Sequence, residues 1–167
     1  MSLPSRKNNR LENFDYGNIG CYFVTLCTKD RQRLFVIESD IVGNGLSAVP
    51  LQNTIIHKWI RETENKFSSI VFDKYVIMPD HLHFIIRIKE RYTDRSLQDV
   101  MRFFKAMTTN EYIRCVKDGM LPKFNKKIWQ KSYYDHIIRN QADYNEKFEY
   151  IENNPKKRIL NKQPRTD

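Results

Sequence analysis

The stretch YVIMPDHLHFIIRI, Tyr75 to Ile88, holds two apolar, β-branched runs on either side of Pro79 and Asp80. Such runs read as strands and a Pro-Asp pair suits a tight turn, so SSIVFDKYVIMPD and HLHFIIRIKE are expected to form an antiparallel hairpin. Two histidines one residue apart interrupt the second run. Side chains at i and i+2 of a strand share a face, so His81 and His83 project together while Leu82 turns to the other side. Two imidazoles so placed can share a metal ion, although a bare pair is more simply read as ordinary strand histidines. A cysteine or third histidine beside them would suggest zinc. No cysteine is near in sequence, and His57 and His136 fall in other elements.

Upstream, CYFVTLCT (Cys21 to Thr28) follows the turn-forming YGNIG and reads as a first strand, left through the polar loop DRQRLF. Leu51, Ile55, Ile56, Trp59 and Ile60 recur three and four apart, which predicts a helix from about Pro50 to Phe67. Downstream, Ser96 is a candidate N-cap for a second helix, with Leu97, Val100, Met101, Phe104 and Met107 or Thr108 on one side. GMLPKFNKK breaks that helix, and IWQ and YDHIIR read as extended. NQADYNEKFEYIENNP opens on Asn140 as a cap and is expected to close at Pro155.

The order strand, helix, strand, strand, helix, strand, helix predicts an α+β fold. Its expected form is a ferredoxin-like split βαβ sandwich, an antiparallel sheet with helices on one face, plus a C-terminal helix. At 167 residues the chain suits one domain over residues 1–167, with a flexible basic tail from about 156 to 167. That architecture hosts many functions, so the chemistry must be read from particular residues.

Twenty-nine Lys and Arg against 20 Asp and Glu give a net charge of +9. The resulting pI near 9.5 favours a polyanionic partner, nucleic acid first. The excess is concentrated: Arg102, Lys105, Arg114, Lys117, Lys123, Lys126, Lys127 and Lys131 face only Glu111 and Asp118 within that span, and KKRILNKQPRTD adds more. Three cysteines without CxxC spacing, and an N-terminus lacking the apolar core of a signal peptide, fit a cytoplasmic protein, nucleoid-associated if its polyanionic partner is DNA. No apolar run approaches a membrane span.

The last helix offers the histidines a partner. Tyr150 and Asn154, four residues apart, share a helical face, and the Asn154 side-chain carbonyl is a hard oxygen ligand. Two imidazoles and one amide oxygen leave positions suited to Mg²⁺ or Mn²⁺ with water and a phosphate oxygen. Tyrosine is a weak nucleophile, but a metal that polarises a phosphate makes its attack feasible. Seen alone, Tyr150 is one of nine tyrosines, most of which pack with a wet hydroxyl.

CYFVTLCTKDRQRLF, MPDHLH, IWQKSYYDHIIRNQADY and YIENNP in this order resemble the single-tyrosine HUH transposases, closest to the REP-associated tyrosine transposases. The resemblance covers most of the chain, with Leu82 as the apolar middle residue of the HUH motif. It implies His81, His83 and Asn154 as metal ligands and Tyr150 as nucleophile. Many members carry Gln where Asn154 stands. The implied substrate is single-stranded DNA beside a hairpin, and the implied reaction yields a 5′-phosphotyrosine and a free 3′-hydroxyl, reversed on rejoining. Trp129, Tyr133 and Tyr134 are candidate base-stacking residues, with core packing as the other reading. Arg102, Lys105, Lys126, Lys127, Lys131 and Arg139 are candidate phosphate contacts. Two alternatives are a replication initiator or relaxase-type HUH nickase, and a catalytically inactive or domesticated nucleic-acid-binding module of the same fold. A homodimer, with the tyrosine of one copy serving the other's metal site, is left open.

Overall fold

The computed structural model of the protein describes residues 19–37, 49–90 and 96–160, the last five by backbone alone. Strand β1 spans Gly20–Cys27 and ends in a short 3-10 turn at Lys29–Arg31. Helix α1 (Leu51–Lys66), the hairpin strands β2 (Ile70–Met78) and β3 (His81–Ile88), helix α2 (Leu97–Lys117), strand β4 (Tyr134–Ile138) and helix α3 (Gln141–Leu160) follow. The strands lie in the order β2-β3-β1-β4, every neighbouring pair antiparallel. Strand β3 therefore inserts between β1 and β2, the split βαβ arrangement expected from the element order.

The two-residue period of the strands sorts side chains between two faces. On one, Tyr22, Val24 and Leu26 join Leu82, Phe84, Ile86 and Ile88, all buried, with Ile55, Ile56 and Ile60 of α1 and Leu97, Val100, Met101 and Phe104 of α2. Full burial of each such side chain contributes about 1.5–3 kcal/mol, and this layer is the main core. Ser96 caps α2 as expected, its backbone N–H donating to the Asp99 carboxylate at 2.9 Å. Thr108, rather than Met107, completes the apolar side of α2, because its hydroxyl donates to the Phe104 carbonyl at 2.8 Å and so loses no hydrogen bond on burial. Leu51 opens α1 and remains exposed, facing no partner layer at the helix end.

Helix α3 covers the opposite face, packing on β2 and β3. Ile151 and Ile85, both buried outside the main core, belong to this second layer. A β-bulge in β2 helps to hold it. Phe72 pairs with Ile86 and Lys74 with Ile85, so Asp73 is an extra residue. Lys74 donates to Glu152 at 2.9 Å and lies 4.4 Å from the ring centroid of Phe148. Asp73 accepts from Arg87, and the Tyr144 hydroxyl reaches the same carboxylate at 3.5 Å. Asn140 caps the helix, its side-chain oxygen accepting the Asp143 N–H at 2.9 Å.

The end of α3 departs from expectation. The helix runs through Pro155 to Leu160. Proline's fixed φ is helical, so passage costs chiefly the lost donor to the Ile151 carbonyl and ring crowding in that turn. The tail expected to be flexible from about 156 is thus helical to Leu160, and residues 161–167 lie outside the described residues. Among the described residues no helix is long and apolar enough to cross a membrane.

Candidate active site

Register places the histidines. His83 stands opposite Thr25 of β1 and Val76 of β2, and His81 opposite Cys27 and Met78, so both imidazoles project from the face covered by α3. Their ring centroids are 4.7 Å apart. The Thr25 hydroxyl and His83 Nδ1 are 2.9 Å apart, and the Asp80 carboxylate lies 2.8 Å from His81 Nδ1. An oxygen partner on Nδ1 fixes ring orientation and reserves Nε2 for another ligand, the arrangement found behind metal-bound histidines. Nε2 of His83 is buried without a hydrogen-bond partner. An orphaned imidazole nitrogen in a buried setting is costly unless something outside the chain fills its lone pair.

Burial, followed by the neighbouring charges of His81 and Arg31, pushes His83 down to about 3. The ring is therefore neutral at ordinary pH, the form that donates a lone pair. Tyr150 closes the cluster. Its ring meets His83 edge-on at 5.2 Å between centroids, while Phe23 stacks on His83 at 5.3 Å and meets Tyr150 at 5.7 Å. Tyr150 is 44% exposed, so part of its ring faces solvent. Asn154 follows one turn later on the same side of α3, half-buried. Among the described residues no three His, Cys, Asp or Glu side chains gather as a metal cluster. The Asn154 amide oxygen, one turn along from Tyr150, is a hard donor of the kind that joins imidazoles around a divalent cation.

The hairpin turn under His81 is clamped. The Pro79 carbonyl accepts from Leu34 and Phe35 N–H, and the Asp80 carbonyl from both the backbone and the hydroxyl of Thr28. Sequence reading missed Thr25, Phe23 and Asp80. The acid beside His81 was visible in MPDH, whereas Thr25 and Phe23 depend on strand register, which has no local signal.

His136 stays apart from the pair, its Nε2 lying 2.9 Å from the Asp143 carboxylate, which also accepts the Arg139 N–H at 3.1 Å. His57 likewise is engaged elsewhere, with the Tyr75 hydroxyl. Trp129 is 5% exposed, stacks on Phe35 and donates to Thr108 at 2.9 Å. It packs as a core residue, the other of the two readings of its sequence context, with its backbone bridged to Thr28. Tyr133 packs half-buried against the main core. Tyr134 is 52% exposed and sits opposite Thr25 on the histidine face. Lys105 donates to the Gln130 and Lys131 carbonyls at 2.6 and 2.9 Å, and burial lowers its pKa. With Lys29, Lys126, Lys127 and Lys131 it rims a cavity of about 800 Å³ between α2 and the loop before β4. Arg102 lines an adjoining recess with Lys105 and Lys131, its guanidinium 3.0 Å from Asp99.

A split βαβ sheet with a histidine pair on one face and a tyrosine helix laid across it defines the setting in which the relatives can be weighed. Residues 21–154 match the family described as "Transposase IS200 like", and the chain belongs to that family. It is 32% identical to an uncharacterized protein of Haemophilus influenzae, over 92% of this chain and 89% of that one. It is 25% identical to a second protein of that organism, named a candidate REP-associated tyrosine transposase, over 86% and 74%. Among solved structures, a REP-associated tyrosine transposase bound to a REP hairpin superposes with a TM-score of 0.59 at 22% identity, over 89% of this chain and 74% of that one. A transposase candidate from Deinococcus radiodurans gives 0.50 at 17%, over 86% and 95%. At these identities the two structures speak for the fold.

Proposed function

We propose that the protein is a metal-dependent single-stranded DNA endonuclease and strand transferase that acts beside hairpins through Tyr150. The observation that carries this reading is the cluster of Tyr150 against His83, with a buried, unpartnered Nε2 and a hydroxyl-bearing ring open to solvent. Tyr150 Oη attacks the scissile phosphorus and the P–O3′ bond breaks. The 5′ phosphate is left esterified to tyrosine, and the departing 3′ oxygen takes up a proton to match the one tyrosine releases. His81, His83 and Asn154 would hold Mg²⁺ or Mn²⁺, which when bound supplies charge neutralisation at the phosphate. Thr25 and Asp80 hold the imidazoles in the ligating orientation, and Phe23 walls His83 from water. Attack by a 3′-hydroxyl reverses the step, so no nucleotide cofactor is required.

The lysine-lined cavity supports hairpin binding, because its lining joins several cations to the apolar side chains of Ala106, Ile113 and Phe124. A relative of the same fold is a hairpin-bound transposase. Tyr150 lies against the histidines of its own chain, which supports cleavage in cis. Incubation with end-labelled single-stranded DNA from the protein's own chromosomal flanks and Mn²⁺ should give a covalent adduct on a denaturing gel. Tyr150→Phe should give none while binding the DNA as wild type does. An adduct of equal yield from Tyr150→Phe, or none from wild type with any divalent metal, sinks the catalytic reading and leaves a DNA-binding module.

A further inference from the structure

The segment that leaves β1 is held from two sides. Thr28, Leu34 and Phe35 hydrogen-bond the Pro79-Asp80 turn. On the other side the Gln32 amide donates to the Asn125 and Lys127 carbonyls at 3.0 and 3.1 Å and accepts the Asn125 N–H at 2.6 Å. Between these clamps, Asp30 and Arg31 both adopt φ of 55°, a left-handed conformation that side chains other than glycine rarely take. Lys126, at φ 57° on the facing loop, is the one other non-glycine residue in that region among those described. Strained backbone of this kind persists where surrounding contacts over-determine it, and it gathers at functional sites.

The strain delivers a cation to the histidine pair. Arg31 Nη1 lies 3.7 Å from Asp80 Oδ2, while Asp80 Oδ1 holds His81. That separation is an ion pair beyond hydrogen-bond length, and among the described residues the guanidinium has no hydrogen-bond acceptor. Its side chain is 58% exposed. A positive side chain beside two imidazoles arranged for a cation is unfavourable on its own and becomes favourable when an anion enters between them.

We propose that Arg31 is a catalytic residue that donates hydrogen bonds to a non-bridging oxygen of the scissile phosphodiester. Its planar fork suits a phosphate better than an ammonium would. The assignment rests on the tyrosine-transfer reading above. The competing role is structural, with Arg31 acting only through the Asp80 carboxylate.

Three arms separate these on the full-length protein. First, single-turnover adduct formation at saturating hairpin DNA is compared for wild type, Arg31→Lys and Arg31→Ala. Arg31→Ala should be slower by about 10²–10³, the usual loss for a donor to developing oxyanion charge, with Arg31→Lys between. Second, a methylphosphonate at the cleavage position removes the charge that Arg31 meets. On it, Arg31→Ala should approach the wild-type rate. Equal slowing on both substrates, or no slowing on the phosphodiester, overturns the proposal. Third, in EDTA, DNA that extends across the cleavage position should bind wild type more tightly than DNA ending one nucleotide short, and Arg31→Ala should lose that difference. Retention of the difference overturns the proposal. This arm needs no cleavage. If wild type forms no Tyr150-dependent adduct, the catalytic reading fails, and the EDTA comparison still decides whether Arg31 holds a phosphate.

Discussion

Thr25→Val tests the support behind His83 with little change of shape. The substitution exchanges a hydroxyl for a methyl group and removes, among the described residues, the one hydrogen-bond partner of a buried imidazole, whose Nδ1 lies 2.9 Å from Thr25 Oγ1 and whose Nε2 is already bare. A buried polar group left unsatisfied costs about 1–3 kcal/mol. For a chain of this length, each kcal/mol moves the melting temperature by roughly 2–4 °C, so a fall of about 2–12 °C is expected. Orientation should suffer more than stability. Loss of the group behind a metal-bound histidine typically costs about 10–100-fold in metal affinity or activity. Isothermal titration with Mn²⁺ and the adduct assay across metal concentrations would read this, together with a thermal melt in EDTA. A variant with wild-type metal dependence would refute the argument that Thr25 sets the ligating tautomer, even if its melting temperature fell.

The histidine site predicts a pH dependence in EDTA. His83 is held down to about 3 when folded, against 6.5 when unfolded, so between those values the unfolded chain binds more protons. Stability should rise with pH through this window and fall progressively as pH drops from about 6.5 toward 3; an equally steep profile for His83→Gln by urea titration would contradict it. Trp129→Ala should behave as a core deletion, costing about 3–5 kcal/mol in thermal or chemical denaturation, because the indole is buried and bonded to Thr108. Lys126→Ala and Lys127→Ala should each reduce the slope of log Kd against log salt by about 1 for hairpin DNA, with the saturated adduct rate unchanged. Filter binding from low to moderate salt would detect a failure.

Local pattern was enough to place the four strands and three α-helices of the described fold, though not the 3-10 turn at Lys29–Arg31. The hairpin through Pro79 and Asp80, the caps at Ser96 and Asn140, and the shared projection of His81 and His83 all follow from periods and turn chemistry within a few residues. The helix end at Pro155 did not, because a proline's helical φ permits what its missing donor discourages. Trp129, among lysines and tyrosines, allowed base stacking or core packing, and its burial beside the bridge to Thr28 decides for packing.

The chain order alone carried the family resemblance and the candidates Tyr150, His81, His83 and Asn154. The meeting of Tyr150 with the histidine pair depends on contacts between residues far apart in sequence: β1 paired with β3 sets Thr25 and Phe23 against His83, and the β2 bulge with Lys74 fastens α3 across that face. Strand pairing and helix docking are non-local, with no fixed spacing to betray them, so Thr25, Phe23 and Arg31 become part of the site through folding.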